Sequence, residues 1–312
     1  DDLAATATVT ASSTLREIAV VPDAGEPVEQ FSLAEHEVGL LFPVRPSFEG
    51  VELAVTVTAP TELELELWST AGGENHIPVT MLDRASVALA QPGEQRVLAP
   101  FAHRSEAGEN VVLVLRRNEH VALLVVDRPG PYGLLGLVSR TPRTASDRAQ
   151  SNAWSAEELR RKAPVLRVLG ESSAYAPRNA VEGYARPFDG PNLWSSAPLR
   201  DDQEPRLELT WLQPQPIATV EVVLNDDVDI DLVNLHHHRT PFAVMPELVR
   251  DYRIEIADAA GWRTVAEVRD NRHRRQVHRL DEAVQADRLR FVATATNGSQ
   301  WVSVVALRVY AD

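Results

Sequence analysis

The chain has 312 residues, of which 44% are hydrophobic and 24% charged, a length and composition that allow two globular domains and exclude disorder. No window approaches the roughly 18 uninterrupted apolar residues of a transmembrane helix, and the absence of cysteine excludes disulfides, thiolate nucleophiles and cysteine-based zinc sites. The formal net charge of -14 is not offset by any basic stripe, so nucleic acid is not an expected partner.

Alternation of apolar and polar residues predicts antiparallel strands in the first half of the chain. The clearest are 51–58 and 62–68, where Leu63, Leu65 and Leu67 fall on one face and three glutamates on the other. Further strands are predicted at 86–90, 95–99, 110–115, 120–126 and 134–138. Many short strands with polar turns are typical of a sandwich, so residues 1–145 are predicted to form an N-terminal β-sandwich domain.

A polar stretch at 141–151 indicates a linker between domains. Ser155-Ala-Glu-Glu158 matches a capping box, which predicts a short helix from Ala156 to Lys162 that Pro164 ends. We therefore assign 146–163 to a linker with a short helix and 164–312 to a second β-sandwich. Its predicted strands are 165–169, 218–224, 252–256, 264–268, 289–293 and 304–310. The predicted fold class is all-β, with two sandwich domains.

The sequence contains no motif of a catalytic or nucleotide-binding site: no Gly-x-Ser-x-Gly elbow, Walker loop, His-Glu-x-x-His or dinucleotide fingerprint. We therefore expect a chain that is not itself an enzyme. The N-terminal residues have neither the basic region nor the apolar core of a signal peptide, so we expect a processed chain or an excised piece of a larger protein, and we favour the piece.

The segment from residue 174 to the C-terminus resembles coagulation-factor V/VIII type C (F5/8 type C, discoidin) domains, which include many bacterial carbohydrate-binding modules. The resemblance rests on four segments in order: 175–184 (YAPRNAVEGY), 193–196 (LWSS), 206–222 (RLELTWLQPQPIATVEV) and 306–310 (ALRVY). More narrowly, 250–255 and 266–277 are similar to the C-terminal accessory region of bacterial FAD-dependent oxidoreductases, some labelled xanthan-lyase-like.

This resemblance implies a discoidin-like jelly roll that binds oligo- or polysaccharide and has no catalytic role. It would belong to a larger bacterial enzyme acting on polysaccharide or glycoside, with an FAD-dependent oxidoreductase as the parent and its catalytic domain as a partner. An extracellular or periplasmic location is expected. Two alternatives stay open: a structural or oligomerisation cap that binds no ligand, and a hydrolase or lyase with a charged cluster in one cleft.

A sugar site needs an aromatic ring to stack on the pyranose and polar side chains to bond its hydroxyls. We expect it on the loops 184–194, 236–241 and 297–301, converging at one end of the second sandwich. Arg186 and Arg239 have the forked donors that suit a uronate carboxylate. For each residue taken alone, ordinary loop packing is the alternative. The candidate residues are Tyr184, Arg186, Phe188, Asn192, His236, Arg239 and Trp301.

The resemblance also implies a calcium site at Asn179 and Glu182. Family members use an Asp in this loop and a Glu on the last strand, where this chain has Glu182 and Ala306. Because Ca²⁺ prefers six to eight oxygen ligands, the changes weaken the site. A metal-free loop held by hydrogen bonds is the alternative.

A second metal hypothesis concerns His236-His237-His238. Neighbouring residues of a strand point to opposite faces, so only His236 and His238 can share an ion, with a third ligand from the aspartates at 227–231. A loop of solvated histidines is favoured. The aspartates are not an EF-hand, because Leu232 stands where that loop needs glycine.

Overall fold

The computed structural model describes residues 1–16, 18–43, 47–70, 78–104, 110–127, 135–140, 154–155, 162–170, 174–183, 192–226, 243–258 and 261–312. The fold is all-β and antiparallel, which confirms the predicted class. Two short 3-10 helices, Leu3–Thr6 and Pro177–Ala180, are the helical segments of these ranges. No helix among these residues is long and apolar enough to cross a membrane.

Twenty strands are described. They are β1 (Thr8–Ala11), β2 (Ala19–Val20), β3 (Val28–Ser32), β4 (His36–Pro43), β5 (Ser47–Val57), β6 (Thr61–Thr70), β7 (Pro78–Leu89), β8 (Gly93–Arg104), β9 (Asn110–Leu115), β10 (Val121–Val126), β11 (Leu135–Arg140), β12 (Trp154–Ser155), β13 (Ala163–Pro164), β14 (Leu166–Leu169), β15 (Trp194–Ser195), β16 (Arg206–Leu224), β17 (Val249–Asp258), β18 (Gly261–Val268), β19 (Arg275–Thr296) and β20 (Ser303–Tyr310).

The chain divides into two compact units. The first unit contains the described residues from 18 to 174, and the second unit contains 1–16 together with the described residues from 175 to 312. Every segment that the alternation predicts as a strand lies in an observed strand, but β7, β16 and β19 begin 8, 12 and 14 residues before the predicted starts at 86, 218 and 289.

The first unit is a β-sandwich of two sheets. One has the order β13-β10-β5-β14-β2, with β3 on β10 and β8 on β5, and the other has the order β12-β11-β4-β9-β6-β7. Side chains of both sheets form one core, in which Leu53, Leu63 and Leu65 are fully buried. The strict alternation of β6 produces this facing, because successive side chains of a strand point to opposite sides.

One glutamate of β6 departs from the predicted solvent face. Glu62 is exposed and Glu64 is half-buried, but Glu66 is only 5% exposed. Its carboxylate accepts hydrogen bonds from Arg116 Nη1 (2.9 Å) and Trp68 Nε1 (3.1 Å). Burial is tolerated because the charge is paired and hydrogen-bonded.

The second unit is built on one sheet with the order β15-β20-β16-β19-β17-β18 and with β1 on β16. β16 pairs with β1 through residues 207–210 and with β20 through residues 219–224, with register shifts between Thr210 and Gln215 and between Ile217 and Thr219. β16 and β19, at 19 and 22 residues, therefore serve both layers of a sandwich. Pro214 and Pro216 lie in β16 between these pairings, and proline in a sheet is confined to edges and irregular positions.

The two units differ from the predicted domain boundaries at both ends. Thr8–Ala11 pairs with β16 of the second unit, and Leu166–Leu169 pairs with β5 of the first. Alternation identifies a strand but not its partner, which is why the sequence misplaced both segments. The predicted linker at 141–151 and residues 156–161 of the predicted helix lie outside the described residues.

The first unit is an insertion in the second. In the second unit, Leu15 N donates to Ser195 O (2.7 Å) and Ser195 N donates to Tyr175 O (3.4 Å), so both ends of the interruption meet at one residue. In the first unit, Val168 N donates to Ile18 O (2.8 Å). Adjacent ends are what allow one domain to be inserted into another without distorting it.

Candidate functional site

The candidate site lies at the end of the second unit where β19 turns into β20. Residues 297–302 form this connection and Ser303 begins β20; the backbone of 297–303 is bonded to the segment that precedes β17. Asn297 N and Asn297 Nδ2 both donate to Leu248 O at 3.0 Å, and Ser299 N donates to Pro246 O at 2.9 Å. Asn225 N, just after β16, donates to Ser303 O at 3.3 Å. The described residues on both sides of 227–242 are therefore tied to this connection.

The same connection is also bonded to the chain around β15. Ser196 N donates to Val302 O (2.9 Å), and Val302 N donates to Ser196 Oγ (3.0 Å). Leu199 N donates to Gln300 O (2.7 Å), and a buried hydrogen bond of 3.0 Å joins the hydroxyls of Ser195 and Ser303. The described segments next to the loops 184–194 and 236–241 are thus both bonded to residues 297–303, which include the third predicted sugar loop.

Trp301 is the aromatic side chain of this connection. It is half-buried, and Ser299 Oγ holds its backbone from both sides, accepting from Trp301 N (3.1 Å) and donating to Trp301 O (3.1 Å). The indole Nε1 is buried and has no hydrogen-bond partner among the described residues. An unpaired buried N–H costs about 1–3 kcal/mol.

The other candidates are only partly described. Asn192 is half-buried and has a left-handed backbone with φ of 49°, a conformation that asparagine tolerates better than most residues. The histidines at 236–238 and the aspartates at 227–231 lie outside the described residues. The remaining five sugar candidates lie outside them too: Tyr184, Arg186, Phe188, His236 and Arg239.

The predicted calcium ligands have protein partners. Asn179 Nδ2 donates to Leu193 O (3.1 Å), which ties the 174–183 segment to the chain before β15. Glu182 forms an exposed ion pair with Arg178 at 2.6 Å, and Ala306 is buried in β20. No group of three or more His, Asp or Glu in the described part of the chain is placed to hold a metal ion. Calcium at Glu182 would have to compete with the Arg178 guanidinium.

A buried asparagine that the sequence analysis missed is hydrogen-bonded to the backbone next to the site. Asn271, in the β18–β19 turn, is 3% exposed; its Nδ2 donates to Val249 O (2.9 Å) and its Oδ1 accepts from Gln276 Nε2 (2.8 Å). Asn297 Nδ2 also reaches Asn271 O at 3.3 Å. The sequence signal that could have indicated it is the Asp270-Asn271 pair, because Asp and Asn favour turns. In the structure Asp270 has a left-handed φ of 50°.

The carboxylate that holds this turn is Asp251. It accepts from Asp270 N (2.9 Å) and pairs with Arg250 (3.0 Å). Burial acts to raise the pKa of Asp251, but the Asp270 N–H and the Arg250 guanidinium outweigh it and lower the pKa below its ordinary value. Asp251 therefore stays ionised at neutral pH and fixes the turn.

No family model matches the chain, and no curated protein matches it. Among solved structures, it is similar to the family 32 carbohydrate-binding module of Streptococcus pneumoniae EndoD, at 16% identity and a TM-score of 0.35, over 44% of this chain and 86% of that one. The chitosan-binding module 1 of a chitosanase/glucanase from Paenibacillus sp. IK-5 has 14% identity and a TM-score of 0.32, over 45% and 87%. A module from Clostridium perfringens in complex with GalNAc-β-1,3-galactose has 12% identity and a TM-score of 0.31, over 43% and 83%.

These identities and TM-scores are too low to transfer a ligand or an activity to this chain. The predicted kinship with the accessory region of FAD-dependent oxidoreductases finds no support in the comparisons and stays a prediction.

Proposed function

We propose that the second unit binds carbohydrate at the end formed by residues 297–303 and the loops beside it, and that the chain has no catalytic role of its own. The observation that carries the proposal is the hydrogen bonding of this connection to segments on both of its sides. A rigid sandwich presenting several loops at one end is a common arrangement for binding, because loops vary without disturbing the core.

Trp301 supplies the chemistry. The exposed part of its half-buried ring can stack on the C–H face of a pyranose. The side chains of Asn271 and Asn297 hydrogen-bond to backbone carbonyls next to this connection and fix its backbone. Binding would therefore cost little conformational entropy for ordering the Trp301 ring.

The wider role rests on the sequence resemblance. We propose an accessory region of a larger bacterial enzyme that acts on polysaccharide or glycoside outside the cytoplasm. An FAD-dependent oxidoreductase is the proposed parent, on the basis of residues 250–277 alone. The accessory region would hold the catalytic domain near its polymer and raise the effective concentration of substrate.

Titration calorimetry against neutral and uronate-containing oligosaccharides, chosen from a glycan array, tests the proposal. We expect dissociation constants of roughly 0.1 to 1 mM, because a shallow site stacks one ring and immobilises few groups. Trp301→Ala should weaken binding of the neutral oligosaccharides at least tenfold without lowering the melting temperature. Leu212→Ala, which removes a fully exposed apolar side chain of β16, is the control and should change neither quantity. Absence of any glycan ligand would reject the function.

The alternative is a structural or oligomerisation cap. Val79 and Met81 favour it, since both are about half exposed on β7, the last strand in the described order of its sheet. Apolar side chains on an edge strand invite pairing with another chain. Sedimentation at increasing concentration decides: self-association that Met81→Lys abolishes, without glycan binding, would support the cap.

A further inference from the structure

The outward face of one layer of the second unit carries an ordered set of polar side chains away from the loops. The layer consists of β1, the first half of β16, the second half of β19, β17 and β18. One cross-strand row is Thr10, Glu208, Arg290, Glu255 and Thr264. In the neighbouring row, Thr8 and Thr210 face Arg288, and Ala257 of β17 faces Trp262 of β18.

Trp262 reaches across β17 to the arginines of β19. The guanidinium carbon of Arg290 lies 4.1 Å from the centre of its ring and that of Arg288 lies 5.2 Å away. The crossing is possible because Ala257, opposite Trp262, has only a methyl group and is itself buried. Both distances are within the roughly 6 Å over which a cation is attracted to an aromatic face.

The arginines of this face differ in their partners. Arg290 is bonded to Glu255 at 2.5 Å, and Arg253 is bonded to Glu255 (2.9 Å) and Glu204 (3.0 Å). Arg288 is exposed and stacks on Trp262, and among the described residues it has no acidic partner. Its position is fixed by the ring while its forked N–H donors stay open.

We propose that this face is a second binding site, specific for the carboxylate of a uronic acid in an oligosaccharide. Arg288 binds the carboxylate through its two parallel donors, and the exposed part of the Trp262 ring packs against the sugar. The side chains of Thr8, Thr210 and Glu208, which have no hydrogen-bond partner among the described residues, bond the hydroxyls of neighbouring sugars. The site goes beyond the proposed loop site and does not share a residue with it.

Charge and size fit this ligand. Arg206, Arg253, Arg288 and Arg290 offset the glutamates of this face, which reduces the repulsion of a polyuronate by a chain with net charge -14. From β1 to β18 the face spans four strand spacings, about 19 Å, which accommodates roughly four sugars. The glutamates are Glu204, Glu208, Glu255 and Glu267.

The test compares tetragalacturonate with its neutral methyl ester, by calorimetry on the full chain at low ionic strength. We expect Arg288→Gln to weaken tetragalacturonate binding at least fivefold and to leave the methyl ester unchanged. The matched control is Arg279→Gln, which removes the same charge from an exposed position in the other half of β19 and should change affinity less than twofold. Equal losses in the two variants would reduce the effect to long-range electrostatics and overturn the proposal.

A second measurement separates this site from the loop site. Amide shifts on adding tetragalacturonate should appear at Thr8, Thr210 and Arg288 and at the Trp262 indole, and they should persist in Trp301→Ala. Shifts confined to residues 297–303 and abolished in that variant would place the uronate at the loop site alone and overturn the second site. If the parent chain shows no shifts at 297–303 with any glycan but keeps the shifts at Thr8, Thr210, Arg288 and Trp262, only the proposed function is rejected.

Discussion

At the residue scale, single side chains decide what each face of a strand can tolerate. Leu65 is fully buried in the first unit, while its neighbour Glu64 is half-buried and pairs with Arg84 at 2.7 Å. The side chain of Glu66 lies on the same side of β6 as that of Glu64, as the alternation predicts, but it is buried. Its charge is tolerated there because it pairs with Arg116. The alternation predicts on which side of the strand each side chain lies, but it does not predict how far that side is exposed to solvent.

Glu66→Gln tests this difference against Glu64→Gln. Loss of the buried charge leaves Arg116 with Glu37 alone, so we expect Glu66→Gln to lower the free energy of unfolding by about 2–4 kcal/mol. The same change at Glu64 removes a solvent-exposed pair and should cost less than about 1 kcal/mol. Urea denaturation of both variants measures it, and equal costs would mean that Glu66 is solvated.

His278 gives the second unit a dependence on pH. Its Nε2 is 3.0 Å from the hydroxyl of the buried Tyr252, and burial lowers the pKa of His278 below its ordinary value of 6.5. The unfolded chain therefore binds the proton first as pH falls through about 6.5, and stability present above that pH is lost below it. His278→Gln should flatten the melting temperature between pH 7.5 and 5.5 relative to the parent; an unchanged slope would assign it to other groups.

At the element scale, strand β1 shows how a short segment completes a distant domain. Besides its pairing with β16, the N-terminal segment places Asp2 Oδ1 against Val309 N (3.1 Å) and Leu3 O against Trp211 Nε1 (2.9 Å). Asp202 accepts from the hydroxyls of Ser12 and Ser13. These contacts join residues about 190 to 307 positions apart, a separation at which no local pattern carries information.

Deleting residues 1–16 should therefore destabilise the second unit. We expect a loss of about 3 kcal/mol or more, because the deletion exposes an edge of β16 and leaves the Trp211 indole without its acceptor. Near-UV circular dichroism and thermal melts report the effect. Removing Asp312 alone is the control, and a deletion as mild as that control would show that β1 contributes nothing.

The facing of β6 is the second prediction at this scale. Leu65→Asp should unfold the first unit and leave the second folded, because it places an unpaired charge among fully buried leucines. Glu64→Lys keeps its side chain on the wetter face and should cost less than about 1 kcal/mol. The amide spectrum of each unit can be followed separately, and similar damage from both changes would contradict the facing.

At the scale of the whole molecule, the chain is one sandwich interrupted by another. Because Leu15 and Tyr175 are bonded to the two sides of Ser195, a short link can replace the insertion. Deleting 17–174 and joining Arg16 to Tyr175 through four Gly/Ser residues should give a folded second unit that keeps glycan binding. The fragment 152–312, which lacks β1, should be less stable than this joined form. Calorimetric melting of the two proteins checks the order, and the reverse order would refute the insertion.

The sequence by itself determined the strands, the direction of their side chains and the all-β class, because each follows from a period of two along the chain. It also pointed to Trp301 through a resemblance. The tertiary structure alone decided that β1 belongs with β16, that β14 belongs with β5, and that Arg288 lies over Trp262. Strand partners and cross-strand neighbours depend on contacts between residues far apart in the chain, and no short-range pattern encodes them.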